Sequence, residues 1–206
     1  MKAETEGALD FMPNGRLWRQ CGARLRDQLP KIEFSSLVST PMLKALPLTS
    51  ESASDRANVL RVFNEASSYT QLVESRSPCA EDVDDFFFSR PMEADVEQKA
   101  VFGFYIDMDM VGCTDIIRSY PTDDCFWIGL LLFSEARQGR GHGKAALGLL
   151  IEMARGWGYR EAQLAVISSN LRAYAFWQRE GFTEVRRASN PKFSGDLIVM
   201  QRTVYE

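Results

Sequence analysis

A mixed α/β sheet with helices on its faces is the fold class that this sequence predicts. Three observations carry it. Apolar strand-like runs alternate with helix-period segments, two such runs flank a short Asp-Met-Asp turn, and a glycine-rich loop joins a strand to a helix. At 206 residues the chain has room for one good-sized domain and an extension, and 45% hydrophobic with 25% charged residues is ordinary for a globular protein.

Residues 1–40 read as an N-terminal extension and residues 41–206 as the domain. Within the extension, residues 16–26 place Leu17, Cys21 and Leu25 at four-residue spacing among arginines, the pattern of a basic amphipathic helix. Such a segment binds an acidic partner, packs on its own domain or stays mobile, and no function is assigned to it. The domain opens with a strand over residues 42–46, ended by Pro47. Thr49 or Ser50 then caps a helix whose buried side is Val59, Val62, Phe63 and Ala66. A second helix runs from Ala80 through Phe86, Phe87 and Phe88 and stops before Pro91.

A hairpin follows, with strands over residues 101–106 and 110–117 turning at Asp107, Met108 and Asp109. Residues 127–133 form the next strand and the helix after the glycine loop spans residues 145–157. A strand over 161–167, a helix capped by Ser169 or Asn170 and stopped by Gly181, and a strand over 182–185 complete the pattern.

The glycine loop is the most informative segment. Gly139, Gly141 and Gly143 alternate with Arg140 and His142, and Arg137 and Lys144 flank them. Glycine lets a backbone approach a ligand, and the start of a helix offers unpaired N–H groups and a positive dipole end, so a phosphate-bearing ligand is expected. Spacing excludes two familiar ligands. A nucleoside-triphosphate loop needs glycine where Gln138 stands and Ser or Thr where Ala145 stands. A dinucleotide fingerprint needs a third glycine where Lys144 or Ala146 stands.

The spacing Gln138, Gly141, Gly143 instead resembles the acyl-CoA signature of the GNAT superfamily of N-acetyltransferases. A second segment, Asn170, Ala173, Phe176, Trp177, Gly181, Phe182, resembles that family's other signature, and one helix and one strand separate the two as the family requires. The resemblance covers the C-terminal third closely and the middle loosely. It implies a mixed, mostly antiparallel central sheet with flanking helices. It implies acetyl-CoA as cosubstrate and an amine, on a small molecule or a protein, as acceptor.

The same resemblance implies the site. The backbone of Leu131, Leu132 and Phe133 should pair with the pantetheine arm, and Gln138, Gly139, Arg140, Gly141, His142, Gly143 and Lys144 should hold the pyrophosphate. Arg137, Arg140 and Lys144 either add charge there or point to solvent. Asn170 should lie near the pantetheine or thioester, cap its helix, or do both. Two positions depart from the family pattern: Gly129 stands where many members carry a glutamate, and Trp177 where many carry a tyrosine acid. Tyr174, one turn earlier, is then the candidate acid, and Asp115, with Tyr120 as an alternative, the candidate relay for the amine proton. A CoA-binding or sensing domain without catalysis is the alternative reading, and an adaptor working through residues 1–40 a third.

Other classes fit poorly. A formal net charge of −4 argues against a broad nucleic-acid surface, and no apolar run approaches the roughly 20 residues of a membrane helix. Residues 1–10 lack the pattern of a secretory signal. Cys21, Cys79, Cys113 and Cys125 are too scattered for a metal or redox motif, and His142 is the sole histidine, so reduced thiols in a cytoplasmic protein without a metal are expected. A homodimer is left open.

Overall fold

The computed structural model describes residues 42–189 and 195–205 of the chain. Its strands are β1 (Lys44–Pro47), β2 (Lys99–Ile106), β3 (Asp109–Arg118), β4 (Cys125–Phe133), β5 (Glu161–Ile167), β6 (Thr183–Ala188) and β7 (Leu197–Thr203). Its helices are α1 (Ala53–Glu65), α2 (Ser67–Glu74), α3 (Ala80–Phe88), α4 (His142–Gly156) and α5 (Leu171–Arg179). The strands make one sheet in the order β1-β2-β3-β4-β5-β7-β6. Only β4 and β5 run parallel, so the sheet is mixed and mostly antiparallel, as expected.

The helices α4 and α5 cover one face. Ala146, Leu147, Leu150, Ile151 and Ala154 form the buried stripe of α4, and with Trp177 and Phe182 they close over Phe104, Phe126, Ile128, Leu164 and Met200. On the other face Val59, Val62 and Phe63 of α1 and Val83, Phe86 and Phe87 of α3 pack on Met110, Cys113 and Leu132. Farther along that face Val73 of α2 meets Ile167 and Leu197.

Several boundaries differ from the sequence reading. The cap of α1 is Ser52, whose hydroxyl accepts from the Asp55 amide, because the Thr49 amide is taken by the Asp55 carboxylate and a turn precedes the helix. Pro47 ends β1 from within, which an edge strand permits. Helix α4 begins at His142, so Gly143 and Lys144 belong to its first turn. The strand after Gly181 starts at Thr183 and extends to Ala188. Two elements were not anticipated. Ala66, at φ −121° and ψ 32°, breaks one apolar stretch into α1 and α2, with no proline or glycine to mark the break. The apolar run of β7 is buried between β5 and β6. The segment 16–26 lies outside the described residues.

The β2–β3 hairpin turns where expected, with Asp107 in the left-handed region at φ 54°. Each register of β3 slips once. Against β2 the slip falls between Phe104 and Tyr105, where β3 carries Val111 as an extra residue. Against β4 it falls between Asp115 and Ile116, where the extra residue is Gly129.

The turn into α3 is closed by a buried carboxylate. Asp82 accepts from the Cys79 amide (2.8 Å) and from both ends of the Arg76 guanidinium. Burial alone would raise its carboxyl, but these donors outweigh burial and hold it below the ordinary carboxylate range. A carboxyl depressed in the folded state stabilises above its unfolded pKa of about 3.9, and that stability is lost as pH falls through the lower folded value. Asp82→Asn is therefore expected to cost about 1–2 kcal/mol at neutral pH. Urea unfolding should show that difference shrinking below about pH 3.9 as the wild-type carboxylate protonates.

Candidate active site

Gly129 decides the geometry. Strand β5 pairs with β4 only from Cys125 to Ile128, and the next residue, Gly129, is the bulge. A bulge bends its strand. Beyond it β4 stays paired to β3 through Phe133, whereas β5, paired to β7 along its whole length, continues to Ile167 with β7 alone. The backbone edge of residues 129–133 that would face β5 thus carries no strand partner. Leu131, Leu132 and Phe133 sit on this edge, able to accept an extended chain as a strand accepts a peptide.

The glycine loop lies at the end of that edge. The Gln138 carboxamide donates to the Phe133 carbonyl (2.9 Å), pinning the loop to β4. Gly139 (φ 72°) and Gly141 (φ 85°) take left-handed conformations that other residues adopt only with strain, and a Cβ on either would meet nothing within 4 Å. The loop's curvature, not crowding, requires these glycines. Gly143 is different: a Cβ there would come 3.3 Å from Phe176, so it sets the close approach of α4 to α5. The first helical bond runs from the Ala145 amide to the Gly141 carbonyl (3.1 Å), leaving the amides of His142, Gly143 and Lys144 ahead of the hydrogen-bond ladder. Backbone donors, a dipole end and open space together fit a diphosphate.

The loop's charged residues divide. Arg140 and Lys144 are exposed, whereas Arg137 pairs with Asp109 (3.0 Å), which also binds Arg61 of α1 (3.3 Å). The His142 ring stacks on Phe133, with centroids 6.1 Å apart. Glu135 accepts from the Ser68 amide (3.0 Å) at the start of α2, and the Ser68 hydroxyl and amide hold its carboxyl below the usual range.

On the α1–α3 face, the carboxylate of Asp115 lies beside Gly129. Its Oδ2 accepts from Lys99 (2.5 Å), and both side chains are largely buried, Lys99 at 5% and Asp115 at 14% exposure. Its Oδ1 is buried and has no hydrogen-bond partner. Burial, with the charges of Asp115 and Glu74, pushes the Tyr69 phenol up to about 12, and burial with the same Asp115 charge raises the Cys113 thiol above its usual range. Tyr120 stacks edge-on against Trp127, at 5.7 Å between centroids, and both belong to a smaller cluster with Ile117 and Val199.

Asn170 and Tyr174 belong to the α5 segment, Asn170 as its cap. The Asn170 side-chain oxygen accepts from the Ala173 amide (3.1 Å), the expected capping bond, which does not use its nitrogen. The Tyr174 hydroxyl contacts Glu184 (3.4 Å) and Gln178 (3.3 Å), while its ring packs on the α4–α5 side of the sheet. Trp177 is core, wedged edge-on between Phe176 and Phe182. Tyr174 thus lies on the α4–α5 face and Asp115 on the α1–α3 face, and the Tyr174 hydroxyl is directed at Glu184 of β6, beyond β7. Lys99 and Glu135 were not anticipated. The bulge at Val111 brings Lys99 onto the face of Asp115, and no spacing rule signals it.

Among the described residues, no helix is long and apolar enough to cross a membrane, and no cluster of three or more His, Cys, Asp or Glu could hold a metal ion. Cys79, Cys113 and Cys125 are free thiols.

The profile of the Acetyltransferase (GNAT) family matches residues 61–182, from within α1 to just past α5. Among solved structures, an acetyltransferase from Thermus thermophilus is 30% identical with a TM-score of 0.63, over 79% of this chain and 97% of that one. The ribosomal-protein-S18-alanine N-acetyltransferase of Escherichia coli is 16% identical with a TM-score of 0.58, over 80% of this chain and 96% of that one. An N-acetyltransferase from Staphylococcus aureus is 17% identical with a TM-score of 0.58, over 79% and 98%. These last two share the fold. No curated protein matches the chain. With the profile covering more than half of its residues and the parted strands, glycine loop and capped α5 in place, the chain belongs to the acetyltransferase (GNAT) family.

Proposed function

We propose that this protein transfers the acetyl group of acetyl-CoA to a primary amine of a small molecule or protein. One observation carries the reading: the glycine loop at the start of α4 adjoins the unpaired edge of β4, so a diphosphate and an extended arm can be held by one continuous stretch of backbone. In this reading the amides of Gly139, Arg140, Gly141, His142, Gly143 and Lys144 hold the pyrophosphate, with the Arg140 and Lys144 side chains near it. The edge of Leu131, Leu132 and Phe133 pairs with the pantetheine, and the Asn170 nitrogen donates toward it. Bound acetyl-CoA supplies the acetyl thioester.

The remaining demand is proton handling. Neutralising an amine of pKa near 10.4 at pH 7 costs about 4–5 kcal/mol. Asp115 takes one proton from the acceptor ammonium on one face of the sheet. Tyr174, on the other, gives a proton to the departing thiolate and is repaid by the one the nitrogen sheds on acylation. The net change is ammonium plus thioester to amide, thiol and one proton.

Purified protein is expected to bind acetyl-CoA by calorimetry and to release free CoA when a broad panel of primary amines is supplied. Binding without turnover on any amine would favour a CoA-sensing domain, and no binding would remove both readings.

Gly141→Val places a β-branched residue at φ 85°, a strain of about 1–2 kcal/mol that the ligand-gripping conformation must bear. If the free loop relaxes away from that φ and only the ligand restores it, acetyl-CoA affinity is expected to fall roughly tenfold with little change in melting temperature.

Tyr174→Phe is expected to lower kcat by at least about tenfold, at the lower edge of general-acid effects, with acetyl-CoA affinity unchanged. An unchanged kcat would assign the thiolate's proton to water.

A further inference from the structure

Gly129 is more than a bend. A Cβ built on it would fall 2.2 Å from Asp115 Oδ1 and 2.9 Å from Asp115 Cγ, so no side chain fits at 129 while Asp115 keeps its place. The carboxylate of β3 fills the space that a β4 side chain would otherwise take, at the point where β4 leaves β5.

The carboxylate is held from one side only. Lys99 donates to Oδ2 (2.5 Å) and to the Ser89 carbonyl (2.5 Å), which ties the ammonium between the end of α3 and the middle of the sheet. Oδ1 is buried beside Gly129 and unpartnered. An ionised oxygen removed from water without a donor is unfavourable, and a donor carried by a ligand would satisfy it. Nearby protein groups do not serve: the Tyr69 phenol and the Cys113 thiol both register the Asp115 charge, yet neither bonds Oδ1.

We infer that Asp115 Oδ1 seats the acceptor's ammonium and takes its proton, that the bare backbone at Gly129 admits this carboxylate to the gap, and that Lys99 is the positioning residue that fixes it there. The inference rests on the acetyl-transfer reading and names the seat of its acceptor. The ammonium donates to Oδ1 and loses one proton to it. The nitrogen lone pair then forms the C–N bond at the thioester carbonyl, the C–S bond breaks, and the nitrogen's surplus proton neutralises the thiolate. Asp115 returns its proton to solvent.

Moving the carboxylate between strands tests this. Against an amine that the wild type acetylates, Asp115→Ala is expected to lower kcat by about 10²-fold or more while the KM for acetyl-CoA stays within about twofold. The double variant Asp115→Ala/Gly129→Asp carries a carboxylate back into the same space from β4, and should regain at least about tenfold of that loss. Lys99→Met should lower kcat by about tenfold at unchanged KM for acetyl-CoA, and Lys99→Arg should recover most of it. If Asp115→Ala no longer binds acetyl-CoA, the isosteric Asp115→Asn replaces it with the same expected loss. A kcat within about threefold of wild type in a variant lacking the carboxylate overturns the inference, as does a relocated carboxylate that restores nothing in a protein still binding acetyl-CoA. A wild type that binds acetyl-CoA but acetylates no amine fails at the reading beneath it instead.

Discussion

The single extra residue that β4 carries opposite β3 governs the molecule. With Gly129 bulged, β4 can follow β3 to Phe133 while β5 follows β7, and neither strand has to break its outer pairing to part from the other. A sheet does not give up ladder hydrogen bonds cheaply, because an unpaired buried amide or carbonyl is costly. The slip concentrates that cost on one short edge and leaves it able to bind. Everything placed around the gap follows from its position: the loop that continues β4, the helix whose first amides face the loop, and the α5 helix drawn against α4 by the missing side chain of Gly143.

Polar ties on the α1–α2 side hold the two halves of the site together. Asp109, in the β2–β3 turn, pairs with Arg61 of α1 and with Arg137 before the glycine loop. Glu135, in the same pre-loop turn, accepts from the Ser68 amide that starts α2, a helix whose own cap residue offers no side-chain bond. Exposed pairs of this kind stabilise little, typically below about 1 kcal/mol each. Their value is geometric. The glycine loop is fixed to α1 and α2 on the face that carries Asp115, so the loop and the proposed acceptor side share one frame.

Periodicity and punctuation made the main elements legible. The apolar runs of β2 and β3 about their turn, the stripe of α4 and the Asn170-to-Gly181 frame of α5 each depend on contacts within a few residues, and such signals survive in the chain. What escaped depends on register. Without the extra Val111, Asp115 would pair with Ala100 and lie on the opposite face from Lys99, so the ion pair exists only because of a slip that no local spacing encodes. The break at Ala66 is likewise set by packing, since Val73 reaches Ile167 and Leu197 only if α2 departs from the line of α1. At Gly129 the departure from the family pattern was visible, and so was Asp115 as a stand-in. Their contact was not.

Chemistry does not register which strand supplies a carboxylate. Holding amine and thioester together can lower the barrier by about 7–11 kcal/mol, and in the proposed reaction that contribution falls to the parted strands and the loop. A general base adds about 3–5 kcal/mol, provided one oxygen lies within hydrogen-bond reach of the nitrogen. The second contribution asks only for an oxygen at the right point, and a cross-strand neighbour lies about 5 Å away, so an aspartate side chain brings its carboxylate against the facing backbone. A glycine on β4 with an aspartate opposite can thus supply the same oxygen as a longer acid on β4. The difference lies in the support, because a carboxylate crossing from β3 must be anchored at its far oxygen, and Lys99 occupies that place.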